Sequence, residues 1–202
     1  MFLRIKLADL ITLSRVIIAI FALAILHNEK LRLLAFVLTA VVIYMDGLDG
    51  YVARKLNQAS PFGAVLDIVC DRIVEMAYWI VFASLNWISF WIPLIFLIRG
   101  NLVDSIRGFA QSEGYTAFGV NTMMQHPVNK FLVSSNFSRF TYAITKALAF
   151  CLIIASHCYT FKHYHLKHIA LCLVYIATAF CLIRGIPVLV EGTRFLRKLT
   201  TS

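Results

Sequence analysis

Apolar residues occur along the chain in six long runs that are separated by short polar connections. The runs lie at about residues 10–27, 31–53, 62–86, 88–109, 140–158 and 168–190. A helix needs about 20 apolar residues to cross a bilayer, and each run is close to that length. The alternation of apolar and polar residues that is typical of membrane strands is not visible. The pattern predicts an all-α integral membrane protein with six transmembrane helices.

The first nine residues differ from the runs that follow. From Met1 to Asp9 the chain alternates basic and apolar residues, with Arg4 and Lys6 as the basic ones. A basic and apolar alternation of this kind favours a short amphipathic helix that lies along the membrane interface before the first span.

Composition supports a membrane domain and excludes a soluble globular protein. The 202 residues are 60% hydrophobic and 14% charged, and the mean hydropathy is +0.80. Six spans take about 120 residues, which leaves about 80 for termini and connections. We therefore expect a single membrane domain that covers residues 1–202.

The net charge of +9 indicates contact with anionic membrane lipid. No basic tract is long enough to suggest nucleic acid as a partner. Cytoplasmic segments of membrane proteins are enriched in Lys and Arg, and this rule gives the orientation. With the N-terminus inside, ten basic residues fall in inner segments or at inner helix ends: Arg4, Lys6, Arg54, Lys55, Arg107, Lys130, Arg139, Arg194, Arg197 and Lys198. Outside fall Lys30, Arg32, Lys162 and Lys167. Both termini are predicted to be cytoplasmic.

Four of the ten acidic residues lie within 26 positions, where the second span ends and the third begins. An Asp at membrane depth costs a few kcal/mol, so four of them need compensating cations. Asp46 and Asp49 are three residues apart and Asp67 and Asp71 are four apart, so each pair lies on one helix face. Two such faces predict a cage of carboxylates in a polar, cytoplasm-facing cavity. Oxygen ligands of this kind suit Mg²⁺ or Mn²⁺.

Three neighbouring residues add to this cluster. Gly50 and Gly63 lack a β-carbon, which lets a ligand or a facing backbone approach closely. Arg54 carries a planar fork that is suited to phosphate oxygens. The structural alternative for the cluster is a set of buried ion pairs with Arg54 and Arg72. Arg72 and Glu75, three residues apart, can also pair with each other.

This run of residues resembles the signature of the CDP-alcohol phosphotransferase family, D-x2-D-G-x2-A-R-x8-G-x3-D-x3-D. The chain matches all eight fixed positions: Asp46, Asp49, Gly50, Ala53, Arg54, Gly63, Asp67 and Asp71. The resemblance also extends to the plan of six membrane helices. It implies an enzyme that moves the phosphatidyl group of CDP-diacylglycerol to a small alcohol and releases CMP.

The resemblance also implies a role for each residue of the signature. Two divalent ions, Mg²⁺ or Mn²⁺, lie among the four Asp residues in the family. Asp46, Asp49 and Asp67 are ligands by this resemblance, and Asp71 is both a ligand and the general base. The CDP-lipid is bound by the remaining signature residues Gly50, Ala53, Arg54 and Gly63. No Ser-His, Cys-His or His-x-Lys arrangement lies near the run, so a direct single displacement is favoured over a covalent intermediate.

The acceptor alcohol is predicted from cations elsewhere in the spans. Arg107, Lys146 and Arg184 come from three spans, toward the cytoplasmic side, and are expected to converge on the phosphate of glycerol 3-phosphate. The segment from Arg99 to Phe109 also resembles the fourth span of phosphatidylglycerophosphate synthases, although Gly100 replaces their Glu. Inositol, inositol phosphate, serine and phosphatidylglycerol stay open as acceptors, and so does a homodimer.

Other interpretations stay open as well. Intramembrane carboxylates also mark ion pathways, so a divalent-cation transporter is the alternative from another class. The outer halves of the spans contain no acidic residue beyond Glu75, which argues against a transporter. Arg15 follows Thr12-Leu13-Ser14 and resembles the first-helix Thr-Leu-x-Arg of the family, but snorkelling to lipid head groups explains it equally well. Snorkelling is also the alternative for Arg107, Lys146 and Arg184.

Overall fold

The computed structural model describes residues 6–55, 60–112, 127–161 and 164–200, and these form helices and short turns without a strand. The α-helices of this described part are α1 (Leu7–Ile25), α2 (Arg32–Lys55), α3 (Pro61–Ser84), α4 (Trp91–Ser112), α5 (Pro127–Ser134), α6 (Asn136–Ser156) and α7 (Tyr164–Thr200). Two 3₁₀ turns, Glu29–Leu31 and Tyr159–Phe161, precede α2 and α7. The all-α prediction is therefore confirmed for these residues.

Local sequence explains several helix ends. Ser60 is the N-cap of α3, where its hydroxyl accepts a hydrogen bond from the Gly63 amide at 3.0 Å and Pro61 occupies the first helical position. At the other end of α3, Asn86 adopts a positive φ of 58°. The Trp87 amide then donates to the Phe82 carbonyl at 2.9 Å, which closes the helix in a Schellman turn.

By length and composition, three stretches of the described residues can cross a membrane, whereas the sequence predicts six spans. The three are Glu29–Leu48, Asn136–Ser156 and His165–Thr193. α3 and α4 are long enough but carry several charged side chains each, among them Asp67 and Asp71 on α3 and Arg99 and Arg107 on α4. These charged side chains, among them the candidate site residues, are the reason that α3 and α4 are less apolar than an ordinary membrane span.

The chain divides into two compact units. The first comprises Met1–Phe90 with Phe150–Leu171, and the second comprises Trp91–Ala149 with Cys172–Ser202. The prediction of one domain over residues 1–202 stays a prediction.

An aromatic cluster forms the core of the first unit. Tyr78 stacks on Phe150 with 4.9 Å between ring centroids, and Trp79 meets the same ring edge-on at 4.7 Å. The Tyr78 hydroxyl forms a hydrogen bond of 2.9 Å with the buried Thr39 hydroxyl, so α3 is joined to α2 by a satisfied polar pair. In the same unit α1 packs against both α2 and α3, the two helices that carry the acidic signature.

The second unit has a smaller apolar core, which is formed by Val103, Ala110, Val133 and Val188. A β-carbon at Gly192 would collide with the side chain of Ile106. The absent side chain therefore allows α7 to approach α4 closely.

Arg32, at the start of α2, packs with the rings of Trp87 and His157 in the first unit. Arg32 donates to the carbonyl of His157 at 3.0 Å and lies over the ring of Trp87 at 5.3 Å. The His157 ring stacks on the same Trp87 at 4.1 Å. Burial lowers the pKa of His157 from its ordinary 6.5, and Lys167 and Arg32 act in the same direction, against the hydrogen bond to Ile153.

This stack predicts that the protein loses thermal stability in mild acid. Because the folded protein holds His157 neutral, the unfolded chain binds more protons once the pH falls below about 6.5, and stability decreases from there toward the lowered pKa. The midpoint of thermal unfolding in detergent, followed from about pH 8 to about pH 5, measures the effect. His157→Phe keeps a ring on Trp87 and should flatten this part of the profile. An identical acid loss in His157→Phe would contradict the assignment.

Candidate functional site

The acidic signature lies on two neighbouring helices of the first unit. Asp46 is on the last turns of α2, and Asp67 and Asp71 are on the first turns of α3. Arg15 lies near the middle of α1, the helix that packs against both. The side chains of these four residues meet, although they come from three different helices.

The Arg15 guanidinium is the point at which the carboxylates meet. Its Nη1 donates to Oδ1 of Asp46, and its Nη2 donates to Oδ1 of Asp71 at 2.5 Å and lies 3.5 Å from Oδ1 of Asp67. Asp46, Asp67 and Asp71 therefore lie around one side chain, while the cage of four carboxylates stays a prediction. Snorkelling of Arg15 is wrong, because its side chain is only 2% exposed.

The carboxylates themselves are accessible. The side chains of Asp46, Asp67 and Asp71 are 56%, 47% and 48% exposed. A cluster of three like charges is repulsive unless cations face it, and Arg15 supplies one such charge. The carboxylates are thus accessible from outside the cluster, while the guanidinium that contacts them is buried.

Four of the five remaining signature residues lie at the end of α2. Asp49, Gly50, Ala53 and Arg54 belong to this helix, but their side chains are outside the described part of the structure. Within the part that is described, no group of three or more acidic, His or Cys side chains already has the geometry of a metal site. The roles predicted for these four residues stay predictions.

The close approach predicted at Gly63 is made by a residue that the sequence analysis missed. A β-carbon at Gly63 would lie 2.8 Å from Oδ1 of Asp9 and 3.1 Å from the Ser60 hydroxyl. Asp9 is buried, and its other oxygen accepts a hydrogen bond from the Lys6 amide at 3.0 Å, which caps α1. The space above Gly63 is thus filled by the start of α1, and nucleotide binding there stays a prediction.

The alternative pairing on α3 is confirmed. Nη1 of Arg72 donates to Oε2 of the buried Glu75 at 3.2 Å. Arg72 therefore has an acidic partner other than the signature residues, as the spacing of three residues predicts.

Two of the three predicted acceptor residues meet on an aromatic ring of the second unit. The Lys146 ammonium lies 4.6 Å from the centre of the Tyr142 ring, and the Arg184 guanidinium lies 5.2 Å from it. Such positions are favourable because the face of the ring is electron-rich. Arg107 is half-buried on α4 in the same unit. The convergence of all three cations on one phosphate stays a prediction.

Arg184 also has a structural role that the sequence did not indicate. It is buried on α7 and donates to the carbonyls of Ser138 at 2.8 Å and Val133 at 3.2 Å. These carbonyls lie on either side of the junction between α5 and α6. Snorkelling is therefore wrong for Arg184, which points into the protein.

The same unit contains an open cavity and a second buried cation. The cavity, of about 340 Å³, is lined by Asn136, Arg139, Phe140 and Ala143 on α6. Arg99 is buried on α4, and a β-carbon at Gly185 would lie 2.7 Å from its side chain. The described part of the second unit therefore holds two buried cations, Arg99 and Arg184.

Comparisons with known proteins agree with the signature. A family model described as CDP-alcohol phosphatidyltransferase matches residues 5–183. A CDP-diacylglycerol–glycerol-3-phosphate 3-phosphatidyltransferase of Wigglesworthia glossinidia brevipalpis is 34% identical over 119 residues, which cover 55% of this chain and 63% of that protein. A CDP-diacylglycerol–inositol 3-phosphatidyltransferase of Candida albicans is 42% identical over 64 residues, covering 32% of this chain and 27% of the relative.

A third relative is a probable phosphatidylglycerophosphate synthase of Mycobacterium tuberculosis. It is 30% identical over 107 residues, which cover 50% of this chain and 51% of that protein. The chain thus spans less than two thirds of the length of each of these three relatives. Their names include two different acceptor alcohols, so the similarity does not fix the acceptor.

Proposed function

Because the chain belongs to the CDP-alcohol phosphatidyltransferase family, we propose that it transfers the phosphatidyl group of CDP-diacylglycerol to a small alcohol. The observation that carries the proposal is the meeting of Asp46, Asp67 and Asp71 around one guanidinium, at the signature that the family shares. The hydroxyl oxygen of the alcohol forms a bond to the phosphatidyl phosphorus, the bond from this phosphorus to CMP breaks, and the hydroxyl proton leaves.

The residues fit a divalent cation. The donor set consists of carboxylate oxygens, which are the ligands that Mg²⁺ and Mn²⁺ prefer, and the described ones already surround a positive group. Asp46, Asp49, Asp67 and Asp71 would hold two such ions. When bound, the ions neutralise charge on the pyrophosphate and on the departing CMP.

The chain's own residues supply the rest of the chemistry. Asp71 accepts the proton of the attacking hydroxyl, a role that its half-exposed carboxylate allows. Gly50, Ala53, Arg54 and Gly63 bind the CDP-lipid, with Arg54 on phosphate oxygens. No covalent intermediate is required, because acid–base and electrostatic groups suffice for a single displacement.

We also propose that α1, α3 and α4 cross the membrane, which completes six spans. Their outer faces are apolar and exposed, as at Ile17 on α1, Val65 and Ile80 on α3, and Leu102 on α4. Exposed apolar faces of this kind suit lipid tails, while charged residues such as Arg15 are buried. The excess of basic residues in alternate connections supports cytoplasmic termini and a cytoplasmic active site.

Glycerol 3-phosphate is the acceptor that the cations of the second unit favour. Lys146 and Arg184 are held on Tyr142, and Arg107 lies on α4 of the same unit. A dianionic phosphate matches several converging cations, whereas an uncharged alcohol such as inositol or glycerol does not need them. One relative is named for glycerol 3-phosphate and another for inositol, so both alcohols are to be tested as acceptors.

We therefore expect Lys146→Gln to raise the Michaelis constant for glycerol 3-phosphate by about 10- to 150-fold, the equivalent of a charge-assisted hydrogen bond of about 1.5 to 3 kcal/mol. The Michaelis constant for CDP-diacylglycerol should stay close to that of the unaltered protein. Initial rates of CMP release from purified protein give both constants. Lys30→Gln, an exposed lysine on the turn before α2, is the matched control and should change neither.

The same assay with a panel of acceptors tests the whole proposal. Efficient use of inositol, inositol phosphate or serine, with glycerol 3-phosphate ignored, would contradict the acceptor and leave the transferase chemistry intact. Absence of CMP release with every acceptor would show that the transferase proposal itself is wrong. Uptake of Mn²⁺ into proteoliposomes would then test the transporter alternative.

A further inference from the structure

Arg15 lies in a position that an ordinary membrane arginine does not take. Its neighbours on α1 include Ile17 and Ile20, which are exposed and apolar, yet its own side chain is 2% exposed. A buried guanidinium is stable only where acceptors compensate the loss of water. Here the acceptors are carboxylates of the catalytic signature.

Arg15 contacts all three carboxylates. Its guanidinium faces one oxygen each of Asp46, Asp67 and Asp71. A carboxylate has two oxygens, and each can accept bonds from cations. Because the carboxylates are about half exposed and the guanidinium is buried, a divalent ion would reach them from the opposite side.

We propose that Arg15 is an internal counter-cation of the carboxylate cluster. It holds Asp46, Asp67 and Asp71 together when no divalent ion is bound, and its charge weakens the binding of such an ion. The inference rests on the metal chemistry of the proposed function. It makes Arg15 a positioning residue, which acts on the substrate only through the carboxylates.

Two effects of Arg15 on a metal oppose each other. A group that orients metal ligands strengthens binding, whereas a positive charge a few ångströms from the metal weakens it. Asp46, Asp67 and Asp71 lie on α2 and α3, which α1 contacts, so we expect their backbones to stay in place without the guanidinium. A bound divalent ion also orients its own carboxylates. The repulsion therefore exceeds the gain from orientation.

The test measures Mn²⁺ binding to the full-length protein in detergent, without substrate. Arg15→Gln removes the charge, and Arg15→Lys keeps the charge but loses the fork that bridges several carboxylates. We expect Arg15→Gln to unfold at a lower temperature in chelator and to bind Mn²⁺ about tenfold more tightly by electron paramagnetic resonance. Added Mn²⁺ should then raise its unfolding temperature more than that of the unaltered protein. Arg15→Lys should bind Mn²⁺ within about threefold of the unaltered protein.

Arg32→Gln is the matched control, since it removes a mostly buried guanidinium from the same unit at the opposite end of α2. It should lower thermal stability without changing the dissociation constant for Mn²⁺. Weaker binding in Arg15→Gln, or unchanged binding, would overturn the inference. An Arg15→Lys variant whose Mn²⁺ affinity differs from that of the unaltered protein by more than about threefold would also overturn it, and this test remains if Arg15→Gln fails to fold.

The inference and the proposed function fail in different ways. If the unaltered protein binds no Mn²⁺, both the counter-cation and the proposed metal chemistry are wrong. If it binds Mn²⁺ and releases CMP while Arg15→Gln binds Mn²⁺ no more tightly, only the inference about Arg15 is wrong.

Discussion

We expect Asp67→Asn to lower the rate of CMP release by more than about 10³-fold, with the same result for Asp46→Asn and Asp49→Asn. An amide keeps the size of the side chain but loses the negative charge that a divalent cation needs. Asp67 lies on α3 and Asp46 lies on α2, so each substitution removes a carboxylate that a different helix contributes. CMP release by purified protein, at saturating CDP-diacylglycerol and Mn²⁺, measures the effect.

The control is the loss of a carboxylate that pairs with an arginine elsewhere in the unit. Glu29 accepts from Arg32 at 3.1 Å and is exposed. Glu29→Gln should therefore leave the rate unchanged, because exposed ion pairs contribute little. Full activity of the unaltered protein in excess chelator would show that no divalent ion is required. A rate within a few-fold of normal in Asp67→Asn would remove this residue from the site.

Asp71→Asn separates substrate binding from proton transfer. The other carboxylates of the signature remain, so most of the binding of CDP-diacylglycerol should persist. Turnover should fall by about 10²- to 10⁴-fold, the usual effect of losing a general base. Turnover numbers from CMP release and dissociation constants for CDP-diacylglycerol, measured separately, distinguish the two roles.

A specific outcome would contradict this role. If Asp71→Asn loses affinity for the CDP-lipid and turnover in equal proportion, Asp71 acts as a ligand alone. If turnover is close to normal, Asp71 takes no part in the reaction. Asp67→Asn is the comparison here, because the loss of a carboxylate without the base role should weaken Mn²⁺ binding as well as turnover.

Much of the helical pattern could be predicted because apolar run length controls it. The run at residues 62–86 corresponds to α3 (Pro61–Ser84), and the run at 88–109 corresponds to α4 (Trp91–Ser112). α5 (Pro127–Ser134) was missed, because it lies in a polar connection and has only two turns. α7 continues to Thr200, although Pro187 lies within it and the apolar run ends near residue 190.

The site was predictable where spacing along one helix determines it. Asp67 and Asp71 are one turn apart, and helical geometry alone places them on one face. Arg15 could not be assigned in this way, because an arginine in an apolar run is compatible with a lipid head group or with an internal partner. Only the packing of α1 against α2 and α3 decides between them. The contact between Asp9 and Gly63 joins residues too distant in sequence for any periodicity to indicate it.

That contact changes how a mutation at the signature glycine should be interpreted. An added methyl group at position 63 would press on the Asp9 carboxylate, whose other oxygen caps the first turn of α1. Arg15 lies on the same helix, less than two turns further along. A loss of activity in Gly63→Ala would therefore be explained first by a shift of α1 and of the Arg15 guanidinium. It would not by itself show a lost contact with the nucleotide.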